Sequence, residues 1–237
     1  MARETITPLR LDSIPSAVKA DLAVPQRRLP DMVADAIVRG IGRGLLKPGE
    51  RLYEPSLCDR LQVSRAPIRE ALRILQAQGI VEGEPQRGLR ICNFDNKRSA
   101  ELYEIRLALE HISIPKAAEV IRSDPSATKA LDQIIADMEV YVARNDRLAL
   151  NEADLAFHGE LVRLSGNDVL INLWRGLARQ ILIILALETD NEVPLPAIHT
   201  QHVALLGAMR NAGEKSLSET IDSHIAGPHT AGWPGTG

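Results

Sequence analysis

The stretch from Leu57 to Leu75, Leu-Cys-Asp-Arg-Leu-Gln-Val-Ser-Arg-Ala-Pro-Ile-Arg-Glu-Ala-Leu-Arg-Ile-Leu, constrains the fold more than any other part of the chain. A short apolar segment ends at Leu61, a tight Gln62–Val63 step follows, and Ser64 is placed to open a second helix. A serine hydroxyl there can accept a bond from an otherwise orphaned first-turn N–H. Pro67 falls in the same turn, where a missing N–H costs nothing and φ is already helical. Gly79 stops the helix a little over three turns later. At 100° per residue Arg65, Arg69 and Arg73 share one stripe of roughly 80°, and Ile68, Ala71, Leu72 and Leu75 form an apolar stripe beside it. Two short helices, the second carrying arginines from its first turn, predict a helix-turn-helix reading head.

Three arginines on one helix are, alone, only a solvated face. The flanks argue for more. Lys47-Pro48-Gly49-Glu50-Arg51-Leu52 reads as a turn into a short strand. Ile80-Val81-Glu82, the turn Gly83-Glu84-Pro85-Gln86-Arg87-Gly88, and Leu89-Arg90-Ile91 read as a hairpin behind the second helix. That hairpin is a wing, with Arg87 and Gly88 at its tip. The expected contacts with double-stranded DNA are Ser64, Arg65, Arg69 and Arg73, with Arg65 and Arg69 reaching bases or phosphates in the major groove, and Arg87 and Gly88 at the neighbouring minor groove.

These residues carry a resemblance. Leu45 to Pro48-Gly49, Leu52, Val63-Ser64-Arg65, Pro67-Ile68-Arg69-Glu70-Ala71-Leu72, Gly79-Ile80-Val81 and Arg87-Gly88 resemble the winged helix-turn-helix of the GntR family, over about Leu29 to Ile91. One departure is visible. Family members often carry an arginine near the start of the first of the two helices, against a phosphate, and this chain has Pro55 there.

Composition narrows the classes further. Aromatics make up 3% of the 237 residues, too few for a protein that stacks single-stranded bases. The net charge of −3 is unevenly spread. From Arg27 to Arg90 there are twelve Lys and Arg against eight Asp and Glu, or +4; from Ile91 onward there are thirteen against twenty, or −7. A basic front and an acidic back suit a DNA head joined to a body that avoids phosphates. Cys58 and Cys92 fall in no metal or redox spacing, as expected in a reducing compartment. The longest apolar run, Ile181 to Leu187, is short for a bilayer, and no signal peptide is evident, so the expected location is the cytoplasm, with no membrane partner.

The expected organisation is a loose arm over 1–29, the winged helix-turn-helix over 30–92, an all-α antiparallel bundle over 93–226 and an unstructured tail over 227–237. In the head, Asp31 is placed to cap a support helix to Leu46. In the bundle, helices are predicted from Asp95 to Arg122 with a kink at Pro115, from Ser126 to Arg144, from about Arg147 to Leu164, from Asn167 or Asp168 through Leu185, from Ala197 to Asn211 and from Glu214 to Ile225.

The chemistry of the second half lies in its histidines. Asp154 and His158 are four apart, with Phe157, Leu161 and Leu164 on one side and Leu155 and Val162 on the other, so the pair points into the bundle. Ile198, Leu205, Leu206 and Met209 flank His202, and His224 nearly aligns with Leu217 and Ile221. One buried histidine is usually just hydrogen-bonded. Four polar groups on the apolar faces of three helices need a common reason, because unpaired they are costly. A divalent metal such as zinc or nickel supplies one. His199 is a spare candidate, while His111 and His229 look incidental.

The same constellation extends the resemblance. Arg106 with Glu110, Asp154 with His158, Ser165-Gly166-Asn167, His202 with Leu205-Leu206, and His224 resemble the FCD domain, the helical effector module of FadR-like GntR regulators, over about Phe94 to Ala226. The resemblance implies that Asp154, His158, His202 and His224 ligate a metal, and that Arg106 helps hold a small carboxylate effector. Arg106 could otherwise be an ordinary helix ion pair with Glu110, but its stripe includes Leu102, Leu109, Ser113 and Ala117, so it should face inward, where a guanidinium can grip a carboxylate in two places. The expected whole is a homodimeric, non-enzymatic transcriptional repressor that reads an inverted-repeat operator and answers to a small organic acid. A regulator responding to metal alone, or a metal-dependent enzyme, are the alternatives.

Overall fold

The computed structural model describes residues 28–84, 88–187 and 193–226. The described part is mainly α-helical, with one small sheet. The head consists of α1 (Leu29–Gly42), β1 (Arg51–Leu52), α2 (Glu54–Leu61), α3 (Arg65–Ala77), β2 (Val81–Glu84) and β3 (Gly88–Ile91). Its strands run antiparallel in the order β1-β3-β2, with Leu52 opposite Leu89 and Val81 opposite Ile91. Ile37 and Ile41 of α1, Ile68, Leu72 and Leu75 of α3, and Ile80 and Ile91 are buried together in its core.

Two local expectations need correction. The first helix starts at Leu29, not at a cap on Asp31, because Pro30 fits the first turn and places Asp31 inside the helix; it also ends at Gly42 rather than Leu46. Ser64 does occupy the N-cap position of α3, but its hydroxyl makes no cap bond. Gly83 is required by the hairpin. Its φ is +107°, and a Cβ would stand 2.5 Å from the Gly88 carbonyl oxygen. The turn at 85–87, and with it Arg87, lies outside the described residues, as do most of the arm over 1–29 and the tail over 227–237.

The bundle follows as α4 (Asn96–Ser123), a 3-10 turn (Pro125–Thr128), α5 (Lys129–Ala143), α6 (Arg147–Leu164), α7 (Asp168–Leu187), α8 (Leu195–Asn211) and α9 (Glu214–Ala226). Caps account for several of these starts. The Asp95 carboxylate accepts from the Arg98 N–H, Asp146 from Ala149 and the Asn167 side chain from Leu170. The helix of Pro115 runs through it to Ser123.

The helix α7 joins the two halves. It contains the Ile181–Leu187 run, and its 20 residues are long and apolar enough to cross a membrane by length and composition alone. Its apolar side chains are instead divided between two cores. Leu170, Trp174, Leu177 and Ile181 pack with Leu102, Tyr103 and Leu109 of α4 and Val162 of α6, whereas Leu182 and Ile183 belong to the core of the head. Polar contacts reinforce the joint. Arg179 donates from Nε to Asp35 at 2.9 Å and from its terminal nitrogens to Gln78 at 3.2 Å and Asp31. Arg98 donates to the Gly79 carbonyl and, at 2.7 Å, to Gln180.

Candidate functional site

The helices α6, α8 and α9 bring Asp154, His158, His202 and His224 together, each at most 9% exposed, and one ligand atom from each lies within 4.8 Å of all the others. The Nε2 atoms of His158 and His224 are 3.1 Å apart. The Oδ1 of Asp154 is 3.1 Å from Nε2 of His202 and 3.7 Å from Nε2 of His158. The i,i+4 spacing of Asp154 and His158 on α6 explains why both reach one point. His199 is not among the four, and His229 lies outside the described residues. His111 is less incidental than expected, because its Nε2 is 2.8 Å from the carboxylate of Asp222, pairing α4 with α9.

The outer nitrogens of two of these rings each meet an oxygen. Nδ1 of His202 faces the Ile198 carbonyl oxygen at 2.8 Å. A carbonyl only accepts, so that nitrogen carries a proton, and Nε2 is the nitrogen turned toward Asp154. Nδ1 of His158 lies 2.5 Å from Oε2 of Glu110, a carboxylate that likewise favours a proton on Nδ1. Phe157 walls the cluster edge-on against both rings, at 5.5 Å from His158 and 5.0 Å from His202.

Arg106 is buried as expected, but it is not idle. Its Nε donates to Oε1 of Glu110 at 2.8 Å and its Nη2 to Oδ2 of Asp154 at 3.0 Å. Burial opposes the Arg106 charge, yet the Asp154 and Glu110 carboxylates overcome it and raise the guanidinium above its usual range. Burial also works against ionising Asp154, and Arg106 with the histidines more than reverses this, holding its carboxyl well below the usual range. Glu110 is lowered in the same way, against burial, by His158 and Arg106. Burial pushes the imidazoles of His158 and His224 the other way, toward neutrality.

Two carboxylates, those of Asp154 and Glu110, are buried beside one guanidinium and three imidazoles, so the site gathers more anionic and lone-pair donors than the Arg106 cation alone can meet. Among the described residues, Nε2 of His202, Nδ1 of His224, and the close pair Nδ1 of His158 and Oε2 of Glu110 are buried with no aligned hydrogen bond, and Nε2 of His158 faces another Nε2. Imidazole and carboxylate donors converging on one buried point fit a divalent cation.

Sequence reasoning missed two polar residues here. Glu110 carries no expected role at the site beyond its pairing with Arg106 in the resemblance, although its phase, 40° from Arg106 and beside Ala117, places it on the inward stripe. Asn151, one turn before Asp154 on α6, is buried with its amide nitrogen unpartnered.

On the head, Arg65, Arg69 and Arg73 are exposed along α3, Ser64 stands at its start, and Gly88 opens β3 with φ +96°. Arg73 donates to Glu70 of its own helix at 3.3 Å, and Arg69 donates to Glu54 at the start of α2 at 2.8 Å. Nothing in the structure places Arg87.

Residues 29–91 match the model of the gntR family of bacterial regulatory proteins, and residues 101–227 match that of the FCD domain. The chain is 30% identical over 202 residues to a probable D-xylose utilization operon transcriptional repressor of Paenarthrobacter nicotinovorans, covering 82% of this chain and 84% of that one. Among solved structures, Escherichia coli McbR/YncC superposes with a TM-score of 0.71 at 20% identity, over 86% of this chain and 99% of the other. A GntR regulator from Rhodococcus sp. RHA1 gives 0.68 at 21% identity, over 85% and 95%. At such identities these two likenesses concern the fold alone.

Proposed function

The chain belongs to the GntR family of bacterial regulatory proteins, with an FCD domain behind its DNA head, and from that premise we propose that it is a dimeric, operator-binding repressor controlled by a small organic acid. It is a transcriptional regulator and not an enzyme. Repression is the sense assigned because the Paenarthrobacter relative is described as a probable repressor. One head offers few contacts, so two would read the half-sites of an inverted repeat. Ser64, Arg65, Arg69 and Arg73 of α3 are the proposed major-groove contacts, with Arg87 and Gly88 at the wing. Dimerisation is supported by exposed Ile105 and Ile112 on α4 and Val169 and Leu173 on α7, two helices that pack together and whose apolar rims a second copy would cover.

The observation that carries the effector reading is the convergence of one ligand atom each from Asp154, His158, His202 and His224 within 4.8 Å of one another in a buried place. These four would hold a divalent ion, zinc or nickel by donor type. When bound, such an ion supplies positive charge and a coordination position for a carboxylate. Glu110, whose Oε2 lies 2.5 Å from Nδ1 of His158, would draw a proton to that nitrogen and leave Nε2 free to ligate. Arg106 and the unpartnered amide of Asn151 are the groups proposed to meet the organic acid. The acid alters DNA affinity only if it binds two arrangements of the heads with different strength, and α7, packed on both cores, is the element that would carry the difference.

A second reading rests on one observation: Arg106 is already engaged by both carboxylates. It could then serve only to position the ligands, and the protein would respond to metal alone. The test is a mobility-shift titration of its own upstream DNA at fixed salt, with metal-analysed protein and a panel of small carboxylates. Release by one acid, abolished in Arg106→Lys (which keeps the charge and loses the two-point grip), supports the effector reading. Release by chelation alone, equal in the parent and Arg106→Lys, supports the metal switch. In either case His158→Ala should take the metal content from about one ion per chain to none. Unchanged content would remove His158 from the ligand set.

A further inference from the structure

Among the three arginines of α3, one is held from another helix. Arg69 donates its Nε to Oε2 of Glu54 at 2.8 Å, across the turn of the helix-turn-helix, while Arg73, among the described residues, pairs with Glu70 three residues back on its own helix. The Arg69 side chain is 59% exposed and that of Glu54 29%, so the carboxylate sits under the guanidinium and the guanidinium faces outward. The support is firm. Glu54 is the first residue of α2, Pro55 presets the backbone of that turn, and Leu57 anchors the helix in the core. The residue that departs from the family pattern thus stiffens the turn carrying Glu54.

Which donor is used matters. The guanidinium is planar and carries five N–H groups, one on Nε and four on the two terminal nitrogens. A carboxylate on Nε fixes the roll of that plane and leaves the terminal edge, a fork of two parallel donors, pointing away. In the major groove a guanine presents two acceptors, N7 and O6, at a matching separation, whereas an adenine presents one acceptor and one donor. The fork is satisfied by the first and opposed by the second.

We infer that Glu54 is a specificity-determining residue, which aims Arg69 end-on at a guanine in each operator half-site. This rests on α3 being the recognition helix, as proposed above. Its energetic signature is unusual. With α3 in the groove, the Glu54 charge would lie near the phosphates and oppose binding to any duplex, so its removal should strengthen non-specific binding while weakening base discrimination.

The experiment is selection of binding sites from a random-sequence duplex library by full-length parent, Glu54→Gln, Glu54→Ala and Arg69→Ala proteins. Affinities for the parent's selected site, the same site with each guanine replaced by adenine, and an unrelated duplex follow at one salt concentration. The parent should select a guanine in each half-site whose replacement costs about tenfold or more, and Arg69→Ala should lose that preference. Glu54→Ala should lose most of it and Glu54→Gln part of it, while both bind the unrelated duplex at least as well as the parent. Discrimination is a ratio within one protein, so any variant that still binds duplex reports it, and the isosteric Gln variant serves if the Ala variant does not bind. An unchanged guanine preference in the Glu54 variants overturns the inference. A preference lost in Arg69→Ala but kept in both Glu54 variants retains Arg69 as a reader and removes Glu54. Absence of any preference linked to Arg69 overturns the reading of α3 at that residue.

Discussion

Two arginine–glutamate pairs in this chain have the same Nε to Oε distance, 2.8 Å, and opposite surroundings. In the head, the side chains of Arg69 and Glu54 are 59% and 29% exposed. In the bundle, those of Arg106 and Glu110 are 4% and 1% exposed, with Asp154 as a second acceptor. Water screens the first pair, so it contributes little to stability and its arginine stays available to a partner that brings better acceptors. The second pair has given up its hydration, and breaking it strands charge in a place without water. One arrangement is suited to presenting a donor, the other to fixing a set of donors.

The largest way to break the comparison is Arg106→Ala in metal-free protein. It leaves the Glu110 and Asp154 carboxylates buried without their shared cation, and should cost about 3–5 kcal/mol in urea unfolding. A loss below about 1 kcal/mol would mean that the carboxylates find another partner, and the buried pair would then resemble the exposed one. Restoring a divalent ion should recover part of the loss, since it brings positive charge to the same carboxylates.

Protons give the next test, because they reach the two sites differently. His158 and His224 have pKa values pushed below the ordinary histidine value, chiefly by burial. The unfolded chain therefore binds protons that the folded chain refuses. Stability of the metal-free protein is fully present above about pH 6.5 and falls as the pH drops below it. Asp154, also depressed, adds a further loss at still lower pH, as its folded carboxyl is protonated. The melting temperature of the metal-free protein should decline with acid from near pH 6.5, and His224→Ala should flatten that decline. A profile that is flat until the carboxylate range would place the histidines in contact with water.

How much of this was legible beforehand differs between the halves. The helix-turn-helix is local, so its caps, its Gly79 stop and its arginine stripe could be read from neighbouring residues, although the Ser64 hydroxyl turned out not to bond. The four histidine-site residues were legible because polar side chains on apolar helical faces announce themselves. The role of Glu110 was hidden by a familiar pattern: an i,i+4 arginine–glutamate pair usually lies on a surface, and only its phase beside Ala117 says otherwise. The Arg179 contacts with Asp31, Asp35 and Gln78, and the hold of Glu54 on Arg69, join residues from separate elements, and no local period encodes which charge meets which.

The smallest expected effect sharpens the comparison most. A double-mutant cycle of Glu54→Ala and Arg69→Ala, read as unfolding free energy without DNA, should give a coupling of at most about 1 kcal/mol that shrinks as salt rises. The same two side chains, read as operator binding, should matter more, because Arg69 on a guanine is worth about 1–3 kcal/mol against the wrong base. A pair built to stabilise the head would show the reverse, with a large salt-insensitive coupling in the free protein and little change in base preference. The exposed pair is cheap to form and easily reoriented, so its value to the molecule lies in the direction it gives one guanidinium, and that is visible only when DNA is present.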